Sequence, residues 1–203
     1  FCASICNYCN FNRGLHDAAL AQRFVEALVA EVESAASDEP VDSIFFGGGT
    51  PSLLPEQAFG EIIQACRNAH DVSIDAEITL EVNPETVTAE RARAWREAGI
   101  NRLSLGAQSF DADELRRLDR THSPERIGQS VNLVLAAGFA NISLDLMFWL
   151  PGQTLSNWLN SVEQAVALGP DHLSIYLLEL YPNAPLKEAM ARASALSADA
   201  DAW

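Results

Sequence analysis

The sequence is poor in basic residues and has no long hydrophobic run. It contains 13 Lys and Arg against 28 Asp and Glu, a formal net charge of −15 over 203 residues. Nucleic acids and anionic membrane surfaces are bound through clustered Lys and Arg, so this balance argues against both as partners. No apolar run reaches the roughly 20 residues of a transmembrane helix, which predicts no integral membrane segment. The hydrophobic share of 48% is typical of an ordinary globular domain.

Cysteine is also scarce, and its distribution is uneven. Cys2, Cys6 and Cys9 lie close together, whereas Cys66 stands alone. A secreted disulfide scaffold would be denser and more even. The C-x3-C-x2-C spacing lets one loop wrap around a single inorganic centre, and the absence of an evident fourth ligand disfavours structural zinc. Three cysteines predict an iron–sulfur cube with one open iron, the alternative being three free or buried thiols.

A second pair of residues has a spacing that also suits a metal. Cys66 and His70 are four positions apart on a predicted helix. We interpret them instead as a small buried cysteine and a histidine that complements the carboxyl end of the helix dipole.

Helical and strand patterns alternate along the chain. The predicted strands are 41–46, 77–82, 102–107, 141–147 and 173–178. A helix capped by Asp17 carries Leu20, Phe24, Leu28 and Val32, and further helices are predicted at 55–68, 89–98, 113–118, 124–137 and 154–168. This alternation predicts right-handed βαβ units and a parallel sheet, either a β/α barrel or a doubly wound sheet.

The side-chain pattern of the strands favours the barrel. Leu80 and Val82 alternate with Thr79 and Glu81, and the later strands repeat this alternation. Parallel strands covered by helices on both faces are usually apolar on both. One polar face therefore indicates a wide, incomplete barrel with a wet or ligand-filled interior, although a sheet open to solvent on one side would show the same pattern.

Polar residues collect where the strands end, which is where β/α barrels carry their active sites. They are Gly47–Thr50, Glu81, Gln108, Asp145 and Glu179. The glycine run lacks the Gly-Lys-Ser/Thr ending of a phosphate-binding P-loop, so it is either a ligand contact or a tight turn. The cysteine loop precedes the first helix and opens on the same rim.

Arginines 116, 117 and 120 form the densest basic cluster of this acidic chain. Arg116 and Arg117 lie near a helix end, where they complement the dipole. Arg120 lies beyond that end and is the better candidate to bind a carboxylate.

These motifs resemble the radical S-adenosylmethionine (SAM) superfamily, and within it the coproporphyrinogen III oxidase-like group that contains the haem chaperones. The resemblance covers the cysteine motif and nearly the whole chain in family order. The other matching stretches are residues 45–52, 81–85, 104–110, 144–147, 150–154 and 172–176.

The resemblance implies a set of site residues. Cys2, Cys6 and Cys9 would bind three irons of a [4Fe-4S] cluster, and the fourth iron would take the amino and carboxylate groups of SAM. The remaining roles are Tyr8 near the adenine, Gly48, Gly49 and Thr50 at the methionyl end, Glu81 at the ribose, and Gln108, Arg120 and Asp145 at SAM or a second SAM-like ligand. The family reaction is one-electron reduction of SAM to methionine and a 5′-deoxyadenosyl radical.

Two functions follow from the resemblance. One is a haem chaperone that uses cluster and SAM without oxidising a porphyrin. The other is an oxygen-independent coproporphyrinogen III dehydrogenase. In that branch of the family the sequence at the third cluster cysteine resembles Cys-Gly-Cys. This chain reads Cys9-Asn10-Phe11-Asn12 there, which favours the chaperone. The implied partners are haem or a porphyrin, a flavodoxin- or ferredoxin-like electron donor and haem-receiving proteins, in the cytoplasm.

The sequence departs from the family at three places. We expect an excerpt, a partial barrel over 1–184 followed by the start of a helical segment at 185–203, without the first strand and the C-terminal domain. Trp149 stands where the family usually has glycine, before the Leu-Pro-Gly-Gln-Thr stretch. A bulky side chain there is expected to perturb the loop near Asp145.

Overall fold

A parallel sheet of five strands forms the centre of the computed structural model, which describes residues 1–182 and 184–192. The strands are β1 Ser37–Phe46, β2 His70–Val82, β3 Arg102–Gln108, β4 Ile142–Phe148 and β5 His172–Leu177. They lie side by side in chain order, and every neighbouring pair is parallel. A doubly wound sheet would reverse its strand order at a switch point. The sequential order is that of a half-barrel, as predicted.

Seven helices of the described residues connect or flank these strands. They are α1 Ala18–Ser34, α2 Glu56–Ala69, α3 Ala89–Glu97, α4 Ala112–Arg117, α5 Pro124–Ala136, α6 Leu155–Ala167 and α7 Pro185–Arg192. The predicted cap of α1 is confirmed, because the Asp17 carboxylate accepts the Leu20 N–H at 2.7 Å. None of the helices in the described ranges is long and apolar enough to cross a membrane.

The first helix buries a different face from the one that its largest residues suggest. Ala21 and Val25 are buried, whereas Leu20 and Phe24 are nearly half exposed. The small side chains bring α1 close to its neighbours, and the large ones lie along the edge of the contact.

The sheet separates an apolar layer from a polar one. On the helix side Leu80, Leu103 and Leu144 are completely buried. On the other side the Ser104 hydroxyl donates to Asp145 Oδ1 at 2.8 Å. The alternation of the strands thus places the core on one face and the polar groups on the concave face, where a ligand can lie.

The chain after β5 returns towards the cysteine loop. The Leu186 N–H of α7 donates to the Asn7 carbonyl at 3.0 Å. The Leu186 side chain is buried with Leu118 and Leu150. Helix α7 agrees with the helical tail predicted from Pro185, while 193–203 lie outside the described residues. The division of the chain at 184 stays a prediction.

Candidate functional site

The cysteine loop and the carboxyl ends of the strands surround one cavity of about 250 Å³. The structure brings all eleven site residues predicted from the sequence to its wall. They are Cys2, Cys6, Tyr8, Cys9, Gly48, Gly49, Thr50, Glu81, Gln108, Arg120 and Asp145. Gly47 and Glu179, which were also predicted near strand ends, are not among the residues that line the cavity. The Glu179 carboxylate accepts the Tyr181 hydroxyl at 2.6 Å.

Backbone hydrogen bonds close the cysteine loop at its base. The Cys2 N–H donates to the Gly14 carbonyl at 2.8 Å, and the His16 N–H donates to the Cys2 carbonyl at 2.9 Å. Within the loop the Cys9 N–H donates to the Cys6 carbonyl at 3.2 Å. The short spacers between the cysteines are therefore held as one compact turn that faces the cavity.

The donor set of this loop fits an iron–sulfur cluster better than a single metal ion. All three thiols are free and line the same cavity. Over the described residues, no three Cys, His, Asp or Glu side chains lie close enough together to hold one ion. Zinc needs its sulfurs at about 2.3 Å from one centre, whereas a cube of four irons and four sulfides holds its thiolates further apart.

Two opposing effects act on the pKa of the Cys6 thiol. Burial raises its pKa, and the Arg120 guanidinium, with Nη1 at 3.7 Å from Sγ, opposes the increase. Without a metal the thiol is favoured, so iron binding must displace its proton. Arg120 then compensates part of the negative charge of the thiolate.

The glycine run after β1 is both a tight turn and a close contact with the cysteine loop. A Cβ on Gly49 would lie 2.8 Å from the Phe1 carbonyl oxygen and 3.1 Å from Cys2 Sγ. Gly48 has a φ of 118°, a conformation that side chains disfavour. Its N–H donates to Glu81 Oε2 at 3.2 Å. Glycine is therefore required here for backbone reasons, before any ligand is considered.

Arg120 connects three segments of the cavity wall. Its Nη2 donates to Asn83 Oδ1 at 2.7 Å and to the Gly106 carbonyl at 2.9 Å. The other branch reaches Cys6. Arg116 instead pairs with Asp113 on the exposed surface of α4, and it lies with Arg117 in the last turn of that helix.

The cavity also carries two carboxyl groups with raised pKa values. Burial raises the pKa of Glu81, the Gly48 N–H opposes this, and Asp145 increases it further. Burial raises the pKa of Asp145 against the hydroxyls of Ser104 and Ser174. With Arg120 these groups give the wall both signs of charge, which suits a ligand that is itself a zwitterion.

Tyr8 offers the cavity a neutral aromatic ring. Burial raises the pKa of its hydroxyl to about 12, although the Arg120 guanidinium opposes the shift. The ring packs against the apolar cluster that contains Met147 and Leu118. It is therefore a hydrogen-bond donor at neutral pH and an apolar surface for a flat ring.

Among the residues that the structure describes, three other than glycine adopt positive φ, and all lie near the carboxyl edge of the sheet. They are Gln108 at 65°, Asp119 at 54° and Trp149 at 63°. Such backbone strain is often found at functional sites. Trp149 occupies a backbone conformation that favours glycine, so tryptophan at this position has a backbone cost relative to glycine. Asp145 lines the cavity despite the bulky side chain of Trp149 four residues later.

Sequence reasoning missed several residues of the cavity wall. Asn83 and Glu85 directly follow β2, and Gly106 lies in β3 beneath the side chains of Gln108 and Arg120. A Cβ on Gly106 would lie 2.9 Å from Gln108 Nε2. The position of Asn83 after a strand end was an available signal, whereas the role of Gly106 depends on contacts that only the fold creates.

A buried carboxyl outside the cavity leads to a prediction on stability. Glu114 Oε2 accepts the Ser109 hydroxyl at 2.5 Å and Gln153 Nε2 at 3.0 Å, while Oε1 is buried without a partner. Burial raises the pKa of Glu114, so the protonated carboxyl favours the folded state. Its contribution to the free energy of unfolding is complete below the unfolded-state pKa and is lost as pH rises through the folded-state pKa. As the pH rises from about 5 to about 8, we expect wild type to lose stability relative to Glu114→Gln, because the amide does not ionise.

Urea unfolding of the metal-free chain across that range measures this difference. Parallel stability profiles for the two proteins would contradict the assignment of the pH dependence to Glu114.

Comparison with known proteins agrees with the geometry. The Radical SAM superfamily model matches residues 1–165. The haem chaperone HemW of Escherichia coli (strain K12) is 38% identical over 187 residues, which cover 90% of this chain and 50% of that protein. An oxygen-independent coproporphyrinogen III oxidase of Bradyrhizobium diazoefficiens is 38% identical over 181 residues, covering 87% of this chain and 40% of that protein.

A solved structure shows the same fold. The coproporphyrinogen III oxidase HemN of Escherichia coli, described as a radical SAM enzyme, superposes with a TM-score of 0.80 at 25% identity, over 94% of this chain and 50% of that one. The chain thus spans about half the length of its relatives or less. Its sequence match and its half-barrel agree, and the chain belongs to the radical SAM superfamily.

Proposed function

We propose that this chain supplies the cluster- and SAM-binding site of a haem chaperone. Membership of the superfamily implies a [4Fe-4S] cluster and SAM. The sequence after the third cysteine is the observation that carries the haem-chaperone proposal. This chain reads Asn10-Phe11-Asn12 there, whereas the branch of the family that oxidises porphyrinogens has a Gly-Cys-like sequence at this place. The similarity to HemW proteins supports it.

Within this proposal the cysteine loop holds the cluster. Cys2, Cys6 and Cys9 would each hold one iron as thiolates, which would leave the fourth iron for the amino and carboxylate groups of SAM. When both are bound, the reduced cluster supplies the electron for the reductive cleavage of SAM. The cationic side chain of Arg120 lies beside Cys6 and offsets the negative charge that the thiolates add.

The strand ends orient SAM. Gly48, Gly49 and Thr50 border its methionyl end, and Glu81 accepts hydrogen bonds from its ribose. Tyr8 provides an apolar face beside the adenine. This assignment is supported by the common cavity and by the mixed charge of its wall.

Two further residues, Gln108 and Asp145, complete the polar wall with Arg120. We assign all three to SAM or to a second SAM-like ligand. They come from β3, the loop after α4 and β4, so the ligand would be held by separate segments of the half-barrel. Such multiple attachment excludes water and restricts the motion of the ligand.

The alternative function is oxidative decarboxylation of coproporphyrinogen III. Its support is the resemblance to the Bradyrhizobium oxidase and to the HemN structure. The two proposals share the cluster and SAM and differ in the fate of the tetrapyrrole. A chaperone would pass haem to receiving proteins, and in both cases a flavodoxin- or ferredoxin-like donor in the cytoplasm would supply the electron.

Anaerobic incubation of the intact gene product with coproporphyrinogen III, SAM and dithionite separates these functions. We expect the mass of the porphyrinogen to remain unchanged and added haem to bind with a shifted Soret band. Repeated formation of a product that has lost two carboxyl groups would overturn the chaperone proposal. A protein that binds no haem would overturn it equally.

A further inference from the structure

A buried histidine lies directly behind the cavity wall. The His122 side chain is completely buried, and its ring has an acceptor on each side. Nε2 lies 3.1 Å from the Ala107 carbonyl oxygen, so this nitrogen carries the hydrogen and donates it. Nδ1 lies 3.3 Å from Glu85 Oε2, within ion-pair distance but away from the line of a straight hydrogen bond.

The Ala107 carbonyl is the base of a strained turn. It also accepts the Ser109 N–H at 2.8 Å, which closes a three-residue turn around Gln108. Gln108 has a φ of 65°, and its side chain faces the cavity. A turn of this kind with positive φ is rare and persists only where surrounding contacts hold it. The His122 ring is one of those contacts.

The other acceptor connects the ring to Arg120. Glu85 lies in the short turn after β2 and lines the cavity. Its carboxylate lies near the Arg120 guanidinium, and His122 and Arg120 together lower its pKa against the effect of burial. His122 follows Arg120 by two residues. One short segment therefore contributes both the guanidinium and the ring that lies beside the Glu85 carboxylate.

We propose that His122 is a positioning residue of the SAM site, which holds the Gln108 turn and Glu85 so that Gln108 and Arg120 face the ligand. His122 itself does not line the cavity and touches no ligand. The proposal rests on the assignment of SAM to this cavity. It adds a residue that the sequence pattern did not indicate.

The first experiment tests the positioning role without any cofactor. His122→Phe keeps a flat ring and removes both nitrogens, and His122→Gln restores a donor towards Ala107. We expect amide exchange of Ser109, measured by NMR on the metal-free chain, to accelerate at least about tenfold in His122→Phe and to recover in His122→Gln. His70→Phe, at the opposite end of β2, is the control and leaves Ser109 unchanged.

The second experiment measures SAM binding. With the reconstituted cluster, we expect the Kd for SAM to rise about tenfold in His122→Phe at unchanged iron content, and to recover in His122→Gln. Unchanged Ser109 exchange and unchanged Kd in a folded His122→Phe protein would overturn the inference. If that variant does not fold, Ser109 exchange in Glu85→Gln, which weakens the contact with Nδ1, decides it, because that exchange does not depend on ligand contact. Absence of SAM binding by the wild type would instead refute the proposed function.

Discussion

Each of Cys2→Ala, Cys6→Ala and Cys9→Ala is expected to abolish cluster binding, whereas Cys66→Ala leaves it intact. The three thiols share one cavity, and a cube that already has one open iron cannot lose another protein ligand without becoming unstable. Cys66 lies on α2 and packs against the core. Its substitution affects packing alone.

Iron and sulfide counts after anaerobic reconstitution measure the effect. We expect about four irons per chain in wild type and Cys66→Ala, and a background level in the other three variants. Loss of the cluster in Cys66→Ala to the extent seen in Cys6→Ala would show that the ligands are wrongly assigned. Circular dichroism of the metal-free variants provides the control for folding.

Arg120→Ala is expected to destabilise the chain and to weaken SAM binding more than tenfold. The substitution leaves Asn83 Oδ1 and the Gly106 carbonyl without their donor, at a cost of about 1–3 kcal/mol for each group that stays buried. It also removes the cation beside Cys6. Arg120→Lys keeps the charge but not the forked geometry, so we expect only partial recovery.

The matched control for this substitution is Arg116→Ala. Arg116 is exposed and pairs with Asp113 one turn away, a contact that contributes little to stability. Denaturant unfolding and calorimetric titration with SAM compare the two variants. Equal weakening of SAM binding in Arg116→Ala and Arg120→Ala would contradict the placement of Arg120 in the site.

Much of the fold was predictable because its signals are local. The period-two alternation of β3 and β4 and the cap at Asp17 depend on neighbouring residues alone. The starts of β1 and β2 were not predictable. Both strands begin earlier than expected, at Ser37 and His70, where the sequence is polar and the pairing contains irregularities. There the partner strand, rather than the residues' own propensity, decides the structure.

The site was predictable where motif and strand ends coincide. Glu81, Gln108 and Asp145 meet at one cavity because the strands that carry them run in parallel and in order. The supporting contacts were not predictable. Arg120 and Asn83 are 37 residues apart, and His122 reaches Ala107 across 15. No sequence period connects such partners, since the topology of the sheet alone brings them together.

We propose that this cavity holds a [4Fe-4S] cluster with one iron open to SAM. Electron paramagnetic resonance of the dithionite-reduced, reconstituted protein tests it most directly, before and after addition of SAM. We expect the signal of a reduced four-iron cluster whose g-values change on SAM addition, and a much weaker change in Arg120→Ala. A four-iron signal that SAM leaves unaltered in the wild type, or no four-iron signal at all, would contradict the claim.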